Sequence, residues 1–211
     1  MSTILTHESL AAIPEGKLVR GLLADPHWRE RLFRSHGISS DAKHYPEVLL
    51  DGVGKEGDID VLVVDPVQPE YATCVQVKRI KVSAQTFVSG KPNRLSAVAE
   101  LKRQSNLLVE LGFWQVFSYA IVVVDSRANN RGAYSFEGVT SQLRTVIDGG
   151  LTTTDLHEKA GLLKFELTQP IDDYPLGAGT FTGRILRMPT VQSQAASITR
   201  WVRQVVAERD A

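Results

Sequence analysis

The sequence predicts an α/β fold, a mixed β-sheet made of an antiparallel meander, a crossover helix and a parallel strand, flanked by helices. Three observations predict it. Residues 44–50, 58–64 and 72–82 are three apolar, β-branched segments joined by short, turn-rich connections, which makes neighbouring strands antiparallel. Residues 94–111 then carry Leu95, Val98, Leu101, Leu108 and Leu111 at helical spacing, with Gly112 as a stop. Residues 117–124 return to a β-branched run, and a strand reached through a helix lies parallel to its predecessor.

The elements follow in order. Residues 1–14 read as a lead-in arm and Glu15–Ala24 as a short helix, and residues 1–24 together form an N-terminal arm and helix. Asp25-Pro26 is an N-cap with proline at the first helical position. Trp28, Leu32 and Phe33 continue that helix, and Gly37 ends it. A turn is expected at residues 51–57. Pro66 and Pro69 bracket the loop between the second and third strands, because neither can donate to a ladder. Residues 83–93 read as a polar, mobile loop. Beyond Asp125, residues 136–147 are expected to be helical, ended by Gly149-Gly150. Residues 162–167 and 180–186 read as strands joined by a Pro-, Gly- and Asp-containing loop. Residues 191–208 form an amphipathic helix with Ile198, Trp201, Val202, Val205 and Val206 on one face. The organisation is a core over 25–150 and a C-terminal section over 151–211 that completes the core or forms a small lobe.

Composition narrows the class. A chain of 211 residues can bury a sizeable core, and no apolar run is long enough to cross a bilayer. The N-terminus lacks a basic segment followed by an apolar core, and the single Cys74 excludes an internal disulfide framework, so a cytoplasmic location is expected. The formal net charge is zero, which argues against a protein that grips nucleic acid strongly by itself. The five histidines show no metal-ligand spacing, so zinc is not expected. No Gly-x-Ser-x-Gly elbow, dinucleotide fingerprint or Walker A loop is present.

Chemistry concentrates on one hairpin. If the loop is symmetric about Gln68, Asp60 lies opposite Gln76 and Asp58 opposite Lys78. Alternate residues of a strand share a face, so these four polar side chains should project together, while Ile59, Val61, Val75 and Val77 face a core. Two carboxylates, an amide and an ammonium on so apolar a strand pair should be paired or used. Hard divalent cations take oxygen ligands, which Asp60 and the Gln76 carbonyl can supply, while Lys78 can orient a water or stabilise phosphate charge.

Asp60 followed on the next strand by Gln76-Val77-Lys78-Arg79 resembles the PD-(D/E)XK nuclease superfamily, the restriction-endonuclease-like fold. The Gln-x-Lys form is closest to the catalytic domain of Mrr-type restriction endonucleases. The resemblance covers roughly residues 28–125. It implies a phosphodiester hydrolase acting on DNA with magnesium or manganese, in restriction or defence against foreign DNA. Asp60 and Gln76 would be on the metal, with Asp58 as a further candidate ligand and Lys78 on the water or phosphate. Gln76 removes one negative charge, so a compensating acid is expected, with Glu30 on the first long helix and Glu47 on the first strand ranked equally. A neutral chain without a recognisable reader module implies a homodimer or a partner protein that supplies target recognition. The rival reading is a catalytically inactive nuclease-fold module that binds nucleic acid or scaffolds a complex. An RNA-directed nuclease is a third.

Other residues are weaker candidates. Arg79 and Lys81 alternate with Lys78 and read equally as phosphate contacts or solvated charges. Arg94, Lys102 and Arg103 could line a groove for DNA, and Lys91 could touch a phosphate. Gln104 reads as solvated, Cys74 as a buried hydrophobe and Trp201 as a core anchor.

Overall fold

Local chemistry accounts for most element boundaries in the computed structural model, which describes residues 13–33, 38, 42–50, 58–125, 139–169 and 180–211. Helix α1 (Glu15–Ala24) follows Pro14 and buries Leu18, Val19, Leu22 and Leu23. Helix α2 (Pro26–Phe33) begins as expected, with Asp25 Oδ1 accepting from the N–H of His27 at 2.9 Å and of Trp28 at 3.5 Å. Strands β1 (Lys43–Leu49), β2 (Asp58–Val64) and β3 (Thr73–Val82) follow. A single 3₁₀ turn at Pro69–Tyr71 links the last two. The expected arm over residues 1–12, the helix stop at Gly37 and the turn over 51–57 lie outside the described residues.

The loop expected at 83–93 contains a helix, α3 (Ala84–Ser89). Its signals are local. The N–H of Ser83 donates to Thr86 Oγ1 at 3.1 Å in a capping box, and Gly90 ends the helix at φ +68°. Lys81 and Asn93 then form an antiparallel bridge, and Arg94 takes a positive φ of 66°. The crossover helix α4 (Ala97–Glu110) therefore starts three residues later than the apolar spacing suggests.

Strand β4 (Gln115–Asp125), helix α5 (Ser141–Gly150), strands β5 (Gly161–Gln169) and β6 (Thr180–Arg187), and helix α6 (Ala196–Arg209) complete the chain. Helix α5 is capped by Thr140, whose Oγ1 accepts from the N–H of Leu143 at 3.3 Å. Helix α6 starts five residues later than expected because the preceding backbone is engaged elsewhere. The N–H groups of Thr190, Gln192 and Ala195 donate to the carbonyls of Lys159, Trp114 and Gly112 at 3.0, 3.0 and 2.8 Å.

The six strands form one mixed sheet in sequence order. β1–β2, β2–β3 and β5–β6 are antiparallel, and β3–β4 and β4–β5 are parallel, each reached through helices. The C-terminal strands thus extend the same sheet. β3 and β4 pair over ten positions, Thr73 with Gln115 through Val82 with Val124. Both are apolar on two faces, as a parallel pair with helices on each side requires. One face packs Val61, Val75, Val77, Tyr119 and Phe165 against α1 and α2. The other packs Leu62, Cys74 and Val116 against α4 and α6, and Ile80, Val122 and Val124 against α4 and α5. Among the described residues no helix is long and apolar enough to cross a membrane.

Candidate functional site

β2 leaves β3 early. Val61↔Val75 is the last pair of their ladder, although β3 continues for seven more residues to Val82. Alternate N–H groups along that stretch of β3 face the vacated side and need acceptors. The N–H of Val77 donates to Asp60 Oδ2 at 2.7 Å, that of Arg79 to Glu15 Oε2 at 2.7 Å, and that of Lys81 to the Asn93 carbonyl at 3.0 Å. Two carboxylates therefore replace a strand, spaced by two residues, or about 7 Å.

The register that ends at Val61↔Val75, continued by one residue, sets Asp60 beside Gln76, in line with symmetry about Gln68. The carboxylate nevertheless turns into the sheet edge rather than standing on a face. Ile59, expected beside Val61, packs with Leu62 and Val64 instead, because the β1–β2 ladder skips the Glu47/Asp60 position, where Glu47 has a positive φ, and the alternation changes phase there. Asp58 is exposed, and its backbone carbonyl accepts from Gln76 Nε2 at 2.6 Å. This bond orients the amide. Gln76 is 1% exposed, and its Oε1 has no hydrogen-bond partner among the described residues.

Burial pushes the Asp60 carboxyl up to about 6, against the opposing pull of the Val77 N–H and Lys78, with Glu15 and Asp58 adding smaller upward pushes. Lys78 Nζ lies 3.7 Å from Glu15 Oε1, and both side chains are largely buried. They line a cleft of about 440 Å³ together with Arg94, Ser96, Ala97 and Glu100. The cleft lies where the start of α1, the free edge of β3 and the start of α4 meet.

Glu15 is the acid that sequence reasoning missed. Its only sequence signal is a carboxylate in the first turn of α1, after Pro14, which reads equally as a partner for the helix dipole. Neither expected compensating acid takes this place. Glu30 is exposed on α2; of the sequence-predicted site residues, Lys78 lines the cleft, whereas Asp60, Gln76, Glu30 and Glu47 do not. Glu47 has a positive φ of 51°, pairs with Arg20 and lies against Gly16, where it leaves no room for a Cβ. Neither is among the charges that act on Asp60. Among the described residues no three His, Cys, Asp or Glu side chains are placed to hold a metal ion.

The remaining candidates separate clearly. Lys102 is buried and donates to Thr154 O at 2.8 Å and Thr152 Oγ1 at 3.3 Å; it lines a second cleft with Arg103 and Asn106, away from Lys78, and its ammonium is taken up by these loop oxygens. Arg103 is half-exposed and 3.6 Å from Glu100. Lys91 is exposed. Gln104, expected in solvent, is 7% exposed with Oε1 unpartnered among the described residues, because it lies between Leu101 and Leu108 on the buried face of α4. Beside it, Ser105 accepts from Ser118, the β4 neighbour of Gln76, at 2.7 Å. Cys74 is fully buried with its thiol pushed up by burial, and Trp201 stacks edge-on to Phe113, as expected for core residues. Burial also holds the His44 imidazole down at about 4, with help from Arg29.

No protein-family model matches the chain, and no curated protein does. Among solved structures it is similar to a protein of unknown function from Silicibacter pomeroyi, at 15% identity and a TM-score of 0.36, over 86% of this chain and 82% of that one. At that score no argument rests on the likeness.

Proposed function

We propose that the protein is a metal-dependent nuclease of the PD-(D/E)XK type that hydrolyses phosphodiester bonds of DNA. The observation that carries this reading is the buried carbonyl oxygen of Gln76, unpartnered among the described residues, at the register position of Asp60, whose carboxyl is itself desolvated by burial. A buried oxygen without a donor and a buried carboxylate both lack what a hard cation offers. Magnesium commonly uses only one or two carboxylates and completes its shell with water and substrate phosphate. Asp60 and Gln76 Oε1 fit that donor set, so the absence of a three-acid cluster does not count against it.

Each residue then has a task. Asp60 and Gln76 would hold magnesium or manganese, which when bound lowers the pKa of a water and neutralises charge on the phosphate. The Val77 N–H keeps Asp60 in one orientation, and the Asp58 carbonyl does the same for Gln76. Lys78 carries a positive charge into the cleft, where it can meet a phosphate oxygen. Glu15, fixed by the Arg79 N–H, holds Lys78 in reach and supplies the acid that Gln76 removes. The resemblance in sequence suggests restriction of foreign DNA as the setting, with a second copy or a partner protein reading the target.

The glutamine favours one rival, a nuclease-fold module that binds nucleic acid without cutting. Cleavage of supercoiled plasmid by the purified protein with magnesium or manganese, beside Lys78→Ala, separates the two. Cutting that is lost in the variant supports the nuclease. Binding without cutting, even when Gln76→Glu restores an acid, supports the module.

A further inference from the structure

Three cations crowd the far end of β3. Arg79 and Lys81 share one face of the strand by alternation. The Lys81–Asn93 bridge, with N–H to carbonyl bonds of 3.0 and 3.1 Å, brings the next residue, Arg94, alongside them. Arg94 is exposed and holds a positive φ of 66°, a conformation that strains a side-chain-bearing residue. Arg79 is 3% exposed, yet its Nε and Nη1 have no acceptor among the described residues. A buried guanidinium with idle donors is an unmet demand for an anion.

The nearby carboxylate does not meet it. Glu15 attracts Arg79, but its Oε2 accepts from the Arg79 backbone N–H and its Oε1 faces Lys78. Burial lowers the Arg79 and Lys81 pKa values, and Arg94 presses on both. The cluster is thus built to repel itself unless something negative sits in it.

We infer that Arg79, Lys81 and Arg94 form an oxyanion site for a phosphate group, beside the cleft of Glu15 and Lys78. Lys81 lies about 10 Å along β3 from Lys78. One strand of a duplex presents a phosphate for about every 3.4 Å of helix axis, so a backbone crossing the cleft carries a neighbouring phosphate into this cluster. That source of the oxyanion rests on the nuclease reading; free phosphate would use the same donors.

The test has two arms. Metal-free protein is titrated with inorganic phosphate and its thermal midpoint followed, for the wild type, Arg79→Met and Arg94→Gln. A saturable rise in the wild type that both variants lose supports the site. Arg94→Gln changes an exposed side chain, so this arm survives a folding failure of Arg79→Met. The second arm measures duplex DNA binding against salt. Arg94→Gln should weaken binding about 5- to 10-fold and flatten the log–log salt slope by about one. Variant-sensitive phosphate binding without duplex binding keeps the site, makes free phosphate its ligand and removes the nuclease reading. Lys78-dependent cleavage with phosphate and duplex responses unchanged in the variants overturns the site and leaves the nuclease reading standing.

Discussion

Replacing Asp60 by asparagine should make the protein more stable at neutral pH. Its carboxyl sits at about 6 in the fold against 3.8 in a free chain. A folded-state value above the unfolded one means the folded protein binds the extra proton between about pH 4 and 6. The group therefore costs nothing below that window, costs progressively more across it and the full amount above about pH 6. At about 1.4 kcal/mol per tenfold change in acidity, the full amount is about 3 kcal/mol, and solvent at the partly exposed rim trims it to about 2. In Asp60→Asn the side-chain oxygen still accepts from the Val77 N–H, so the charge goes and the bond stays. Urea unfolding of both proteins between about pH 4 and 8 should show a gain of about 2 kcal/mol at pH 7 to 8 that shrinks towards zero by pH 4. Magnesium should reverse the order by stabilising only the wild type, by about 2.7 kcal/mol at a hundredfold excess over its dissociation constant. A variant less stable at pH 7, or a gain that does not change with pH, would refute the account of Asp60 as a desolvated carboxylate.

Cleavage should fall as pH drops below about 6, because Asp60 takes up a proton and no longer offers a carboxylate; a rate–pH profile in magnesium shows whether the acid limb is present, and Asp60→Asn, which lacks the carboxylate at every pH, should not cleave at all. Glu15→Ala should lose about 1–3 kcal/mol in urea unfolding because the Arg79 N–H is orphaned, whereas Glu15→Gln keeps an acceptor and should retain most of the stability while losing plasmid cleavage. Gly112→Ala should destabilise by about 2 kcal/mol or more by the same measurement, since Gly112 has φ +87° and an added Cβ would lie 2.8 Å from the Ala195 Cβ, at the point where the Gly112 carbonyl anchors the start of α6.

The regular elements were legible because their signals are local and periodic. α1 and β2 have the bounds that spacing suggests, and β3 and β4 differ only at their ends. The hairpin register was legible too, because proline and turn residues fix the loop and the period of two does the rest. α3 was not legible, since its six residues hold two large apolar side chains, Phe87 and Val88, which are adjacent and so make no helical stripe. The late start of α6 was not legible, because it depends on backbone bonds to loops more than thirty residues away.

The candidate site divides along the same line. Asp60, Gln76 and Lys78 belong to two neighbouring strands, so their order and spacing in the chain already place them together. Glu15, by contrast, is 64 residues from the N–H that it caps. It is chosen over Glu30 and Glu47 by where α1 packs and by the early departure of β2 from β3, which opens an edge that a carboxylate must close. Which polar atoms lack partners among the described residues, Gln76 Oε1 and Arg79 Nε and Nη1 above all, is likewise a property of packing. By itself the sequence determined the strands, the helices and the hairpin that carries the polar side chains, since these follow from short-range periodicity and turn chemistry. Only the tertiary structure decided which acid caps the Arg79 N–H and which buried polar atoms are left without a partner among the described residues, because burial and long-range backbone pairing set both.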